Sequence, residues 1–468
     1  MQQADFTNPK NTMHYLRSHV FILRSKQMFK RLSFVTTLVI LAALILVVPV
    51  MAQDEEPTAD VSVLGSGDIS ISFWNGLTGS DGVTLNEMLA NFVAENPEIT
   101  VTTEIVAWND LYAKLQAAFV AGNPPDVFML HASEVPQFGS YGVLKDLGPW
   151  YTSGGGWFPD DDISESTLNG MMYEGTLVAI PLDNHGRGLW INVDMFEAAG
   201  LDPDMDPPTT YEGWVDLFQQ LTLDADGNNA ASPDFDPENV VQWGYAVGEW
   251  PRVNFLGALA QQGGSLVSED GSTVTVNSEA GITALQQAVD LVYEYNVSPP
   301  EAGFDTWNAF GAGTLAVIPT GTWFRNQAET FSDINSRAWP APQFGPEPGT
   351  WFGAHAWMVP ASLEGEKLDA VETLIQWVSE NQVAWAASGQ VPARLSAQAA
   401  LDADNYPSNI LLGQGFSDYG VLDYGHVAIQ EMYAALDPEL SEALNGLKTV
   451  EEALNDAAER MQAVLDRN

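Results

Sequence analysis

Residues 69–130 read ISISFWNGLTGSDGVTLNEMLANFVAENPEITVTTEIVAWNDLYAKLQAAFVAGNPPDVFML, and their periodicity decides the fold. Ile69 to Trp74 is a β-rich run of strand length. Thr84-Leu-Asn-Glu87 has the form of a capping box, and Leu85, Met88, Leu89, Phe92 and Val93 then recur at helical spacing until Pro97 stops them. Ile99, Val101, Thr103 and Ile105 alternate as a half-buried strand does. Asn109 is expected to cap a second helix, carried by Leu111, Leu115, Ala118 and Phe119 and closed at Gly122, before a strand at Val127–Leu130. Strand, helix, strand with short connections implies right-handed crossovers and parallel pairing, which is the α/β class.

Outward from this run the same grammar continues. Strands are expected at Leu177–Pro181 and Gly188–Ile191, and a helix from Asp194 that ends at Gly200. Thr209-Thr-Tyr-Glu212 reads as a second capping box, opening a helix with Trp214, Leu217, Phe218 and Leu221 inward. Ser278 caps a long helix, Leu315–Ile318 is a buried strand, and the last hundred residues are mostly helical. Four hundred folded residues exceed what one core supports, so two lobes are expected.

The chain has 468 residues with 17 Lys+Arg, 62 Asp+Glu and no Cys. Six basic residues and one acid precede Gln53, which leaves 11 basic against 61 acidic residues beyond it. Such a surface repels nucleic acid and anionic lipid, and the missing cysteines exclude disulfides and thiolate chemistry. From Met28 the chain carries bases, an apolar run from Leu38 to Val48, and Val50-Met51-Ala52, so residues 1–52 read as a signal peptide whose functional part is 28–52, cut after Ala52. An uncleaved anchor would instead leave the protein membrane-tethered. Residues 53–67 read as an acidic tether.

No G-x-S-x-G, H-E-x-x-H, phosphate loop or dinucleotide fingerprint is present, so nothing in the sequence points to catalysis, although a glycan-degrading enzyme needs only two carboxylates and stays open. The segment Phe73 to Asp81 leaves the C-terminal end of the first strand, where open α/β sheets bind ligands. There Trp74 offers a flat apolar face and Asn75, Thr78 and Asp81 offer donors and acceptors, as a sugar ring requires. Similar clusters hold His131, Asp183 with His185 and Arg187, Trp250 with Arg252, Trp323, and His355. Asp224, Asp226 and Asn228 alternate as calcium ligands do, but the following Asn229 and Phe235 exclude an EF-hand, leaving a solvated acidic loop with a structural Ca²⁺ site as the alternative. No other cofactor or metal is expected.

Taken in order, FWNGLTGSDG, L-x-x-M-L-x-x-F-x-x-x-N-P-x-I-x-V, W-N-D-L-Y-x-K-L-Q-x-A, G-N-P-P-D-V, A-I-P-L-D-N-H-G-R-G-L-W-I-N-V-D-M-F-E-A-A-G-L, G-T-W-F-x-N-Q and W-F-G-A-H-A-W-M-V-P resemble the extracellular solute-binding proteins of ABC importers, in the carbohydrate-binding family that includes maltose-binding protein. The resemblance covers Asp68 to Asn468. It implies a two-lobed periplasmic-binding-protein fold (type II), each lobe a mostly parallel sheet flanked by helices and joined by a hinge. Crossings would fall near Pro181–Asn184, Ala312 and Phe352–His355, giving one lobe from 68–182 plus 313–351 and another from 183–312 plus 353–468. Trp74, Asn75, Thr78, Asp81, His131, Asp183, His185, Trp250, Trp323 and His355 would face the cleft. The implied partners are a carbohydrate ligand and membrane permease subunits, and the chain would be a monomer. Relatives often carry a lipidated cysteine that this chain lacks.

Arg187, Arg252 and Arg325 lie in the same segments, so a carboxylate-bearing sugar is one reading, and pairing with the abundant acids the other. A polyamine or an amino acid are the rival solutes.

Overall fold

A computed structural model describes residues 60–468. The expected signal segment and residues 53–59 lie outside the described residues. The second half of the expected tether is a correction: Asp60–Leu64 forms strand β1, paired antiparallel with Ile99–Ile105 through Asp60 to Ile105 and Leu64 to Val101. Its alternation runs against the usual pattern, because Val61 and Val63 point to solvent while Ser62 faces the sheet and bonds Thr103 at 2.6 Å.

β2 (Ile69–Asn75), α1 (Ser80–Glu95), β3 (Ile99–Ile105), α2 (Trp108–Ala121) and β4 (Val127–His131) follow as the periodicity expects. β2 pairs parallel with both β3 and β4. Leu85, Met88, Leu89 and Phe92 are buried, each contributing about 1.5–3 kcal/mol by leaving water. Helix starts come earlier than their expected caps: α1 begins after Gly79, with Thr84 inside its second turn, and α2 begins after Ala107 rather than at Asn109. Gly122 closes α2 in the left-handed conformation at φ 74°.

The chain continues through β5 (Ala179–Pro181), β6 (Asp183–Gly186), β7 (Leu189–Asn192), α3 (Tyr211–Leu221), α4 (Pro251–Gln261) and α5 (Glu279–Tyr293). Next come β8 (Val317–Ile318), β9 (Ser336–Trp339), β10 (Thr350–Gly353), β11 (His355–Met358), α6 (Glu366–Glu380) and β12 (Val391–Pro392). α7 (Pro407–Tyr419), β13 (Gly420–Leu422), α8 (Ile429–Leu444) and α9 (Val450–Leu465) complete it. Thr210, one residue past the expected position, caps α3 by accepting the Gly213 N–H at 3.2 Å. Ser278 caps α5 through the Gly281 N–H. None of the described helices is long and apolar enough to cross a membrane.

One sheet has the order β1-β3-β2-β4-β11-β5, a second β8-β7-β9, and a third β12-β6-β10-β13. Among the described residues β2 pairs parallel with β3 and β4 and β10 with β13, with isolated parallel bridges at Tyr151–Phe158 and Trp243–Leu315; β11 runs antiparallel to β4 and β5. Two main cores result. Phe73, Phe92, Met129, Ile180, Trp357, Leu374 and Trp385 pack in the first lobe, and Leu189, Trp214, Phe218, Leu285, Val317, Leu436 and Leu454 in the second. The expected lobe boundaries therefore need correction. Residues 313–351 do not return to the first lobe, because β8 and β9 flank β7 of the second. His355 to Ala393 joins the first lobe instead, through β11, α6 and Trp385. The chain crosses at Leu182, between β5 and β6, at Ala354, between β10 and β11, and a third time after Ala393, since α8 and α9 pack in the second core.

Candidate functional site

The first two crossings bring Asp183, His185 and His355 side by side, and the antiparallel register of β11 on β4 sets His355 directly opposite His131. Asp183 is fully buried. Its Oδ1 accepts from His185 Nδ1 at 3.1 Å and its Oδ2 from His355 Nδ1 at 2.9 Å. The His355 N–H and the Trp385 indole N–H, at 3.2 and 2.8 Å, also donate to it. The Tyr112 hydroxyl lies 2.5 Å from His131 Nδ1. Ring centroids are 5.2 Å apart for His131 and His185, 5.0 Å for His131 and His355, and 4.1 Å for His185 and His355. One ligand nitrogen from each lies within 4.8 Å of the other two.

Burial favours the neutral imidazole. Desolvation and the neighbouring His355 push His185 down to about 4, and the same burial holds His131 well below its ordinary value. Burial alone would raise the Asp183 carboxyl, but His355 and the hydrogen bonds from both histidines outweigh it and keep Asp183 ionised below the usual carboxylate range.

The aromatic wall is not the expected one. Trp74 turns to the other sheet face, where the Lys114 ammonium sits 4.2 Å over its ring. Trp108 replaces it, stacked on His355 at 5.3 Å and 15° and against His131 at 4.3 Å. A Cβ on Gly76 would meet the Trp108 ring at 2.1 Å, so only glycine admits it. Trp351 and Trp323 approach His185 from the other side, at 5.7 and 6.5 Å. Trp108 follows the end of β3 as Trp74 ends β2, so the strand-end rule that singled out Trp74 applied equally to it.

Of the other expected residues, Asn75 is buried and accepts the Leu77 N–H at 3.1 Å, while Thr78 is exposed. Asp81 lies beside His355, 3.4 Å from Gln390 Nε2, and Gln390 in turn accepts from Thr322. Burial raises the Asp81 carboxyl. Arg187 is absorbed by its own lobe: Nη2 donates to the carbonyls of Glu249 and Pro319 at 2.7 and 2.6 Å, and Nε to Asn254 at 2.9 Å. Its Nη1 stands 3.7 Å from Glu249 Oε2, too far for a hydrogen bond, and both atoms are buried and unpaired. Arg252 pairs with Asp437 at 2.9 Å and lies 3.5 Å over the Tyr433 ring, and Arg325 pairs with Glu329 at 2.9 Å. Arg252 and Arg325 thus follow the pairing reading, while Arg187 is taken up by backbone carbonyls and Asn254.

Glu134, three residues from His131, accepts from Gln430 of α8 at 2.6 Å and so joins the lobes. Burial, with Asp423 nearby, pushes it up to about 8. Trp250 is 59% exposed and holds a left-handed backbone at φ 50° just before α4. In the acidic loop Asp224 accepts the N–H groups of Asp226, Asn228 and Asp236 at 2.8–3.0 Å, which closes the loop on itself. A cavity of about 60 Å³ runs from Trp351 and Arg187 into the second core.

A family model described as "Bacterial extracellular solute-binding protein" matches residues 87–411. The chain is 21% identical over 275 residues to a lactose-binding protein of Rhizobium radiobacter, 57% of this chain and 59% of that protein. It spans only a little over half the length of the curated relatives it matches. Among solved structures, an ABC substrate-binding protein of Listeria monocytogenes in complex with cycloalternan aligns at a TM-score of 0.72 and 22% identity, covering 85% of this chain and 99% of that one. A solute-binding protein of Thermotoga lettingae bound with α-D-tagatose also aligns at 0.72, with 23% identity over 85% and 100% of the two chains. The two-lobed fold is theirs, and with the family model matched over more than half its length, the chain belongs to the bacterial extracellular solute-binding protein family.

Proposed function

We propose that the chain is the substrate-binding component of an ABC sugar importer, which captures a mono- or oligosaccharide between its lobes by hinge closure and delivers it to membrane permease subunits. The observation that carries this reading is the cleft floor, where Trp108, Trp323 and Trp351 flank the polar edge of His131, His185 and Asp81. Indole faces bury the C–H face of a pyranose, while the polar edge rejects wrong epimers, since an unpaired buried group costs about 1–3 kcal/mol. Micromolar capture needs only about 8 kcal/mol. A ligand shifts the lobes only by its differential affinity for the closed form, so groups from both sides must touch it. We assign that second side to Gln430, which bonds Glu134 of the first lobe, and to exposed Trp250. Lactose, cycloalternan and tagatose, named for the relatives, carry no charge, which agrees with a cleft whose arginines are engaged elsewhere.

The chain works as a receptor outside the cytoplasm, exported by residues 28–52, and a separate subunit spends the ATP. Thermal melting of the protein against mono- and oligosaccharides, uronates, polyamines and amino acids tests this. A ligand at 100 times its Kd adds about 2.7 kcal/mol of stability, a shift of a few degrees. A shift with neutral sugars is the expected outcome; a shift confined to polyamines or amino acids, or glycan products released from the panel, would replace the reading.

A further inference from the structure

Three of the four histidines among the described residues, far apart in sequence, converge on one spot of the cleft floor. Their Nδ1 atoms are all engaged by oxygens: His185 and His355 share Asp183, and His131 meets Tyr112. That leaves Nε2 of each ring as the free nitrogen, and among the described residues no protein group hydrogen-bonds to any of the three. Imidazoles oriented through Nδ1 by a buried carboxylate are how proteins prepare histidines to bind zinc, the outer oxygen fixing tautomer and ring angle. The framework is stiff, because His131 and His355 are cross-strand neighbours and His185 pairs with Gly353 on the adjoining strand. A Cβ at Gly353 would lie 2.6 Å from His185 Nε2, so a side chain there would displace this ring and glycine leaves it in place.

We propose that His131, His185 and His355 bind one divalent transition-metal ion of the zinc class through their Nε2 atoms. Imidazole nitrogens select such ions over Mg²⁺ and Ca²⁺, which want oxygen. Tetrahedral coordination with bonds of about 2.0–2.1 Å needs nitrogens about 3.3 Å apart, and one ring nitrogen of each histidine already lies within 4.8 Å of the other two. Three protein ligands leave a fourth position for water or for an oxygen of a solute in the cleft. The site joins β4 of the first lobe to the crossing segments at Leu182 and Ala354, so an ion there ties those strands to that lobe. It does not depend on the sugar reading.

The test is a titration of the metal-stripped full chain with Zn²⁺, Co²⁺, Ca²⁺ and Mg²⁺ in the absence of any sugar, followed by calorimetry and by metal analysis after desalting. One equivalent of Zn²⁺ retained, tetrahedral Co²⁺ absorption bands and a raised Tm are expected, with no competition from Ca²⁺ or Mg²⁺. His131→Ala and His355→Ala should each weaken zinc binding at least 100-fold, Gly353→Ala should weaken it while keeping all three ligands, and His426→Ala should leave it unchanged. Binding that survives in both histidine variants would mean zinc on the acidic surface and would overturn the proposal, as would no retained ion. Should the variants not fold, the Cu²⁺-loaded wild type decides: nitrogen hyperfine coupling from imidazoles supports the site, and an all-oxygen spectrum sinks it.

Discussion

Two buried polar clusters lie on either side of the crossings, and they use their charges in opposite ways. Around Asp183 four N–H donors meet one carboxylate, and every histidine keeps a nitrogen in reserve. Around Arg187 the guanidinium is spent on backbone and Asn254, and the one charge pair left, Nη1 with Glu249 Oε2, stays apart and unpaired. Both clusters looked like ligand sites in the sequence. A site is recognised by what its polar atoms have not yet bonded on the cleft side, and scaffold by their being consumed within one lobe.

The largest expected effect tests the first cluster. Asp183→Asn should cost about 3–5 kcal/mol in chemical denaturation, because it removes the buried charge on which two imidazoles and the Trp385 indole converge; a loss below about 1 kcal/mol would erase the distinction. In the second cluster Arg187→Met alone should cost a similar amount, about 3–5 kcal/mol, by leaving the buried Glu249 carboxylate without a counter-charge although Trp307 and Thr320 still donate to it, whereas Arg187→Met with Glu249→Met should recover much of it. Additive losses in that double-mutant cycle would show that the pair is not the unit it looks like.

Trp108→Ala should lower stability by about 3 kcal/mol, towards the low end for a Trp truncation since the ring is only partly buried, and should weaken sugar capture as well. Trp74→Ala, by contrast, should leave capture unchanged, and equal affinity losses would return Trp74 to the cleft. At the rim Glu134 sets a pH signature. Burial pushes its carboxyl from the ordinary 4.5 up to about 8, so the folded state holds a proton that the unfolded state has lost in between. Stability from this group is complete below 4.5 and lost as pH rises towards 8, at up to about 1.4 kcal/mol per pH unit. Glu134→Gln should flatten that fall relative to the wild type; parallel pH profiles would exclude it. The smallest effect is at Trp250, where Trp250→Gly relieves a left-handed backbone and should change stability by no more than about 1 kcal/mol, in the favourable direction, while reducing sugar affinity if the indole closes over the ligand.

Helix and strand positions in residues 69–131 were legible because burial on one face writes a period into the chain, and Gly122 and Ser278 were legible as caps because their chemistry is local. The capping box that forms is Thr449 with Glu452, whereas Thr84 with Glu87 matches the same pattern inside a helix already begun by Ser80. Spacing alone cannot say where the first turn starts.

What the sequence determined by itself was therefore the α/β elements, the export segment as an expectation, the absence of thiol chemistry, and the strand-end segments from which a cleft would be built. Its alternation also put Trp74 on a sheet face without saying that Lys114 covers that face. Only the tertiary structure decided that 313–351 stays with the second lobe, that Trp108 rather than Trp74 walls the cleft, and that His131, His185 and His355 meet over Asp183. The reason is physical: periodicity and capping are set by neighbours within a few residues, whereas strand order and the partner of each buried charge depend on contacts between segments more than a hundred residues apart, such as His355 with Asp183.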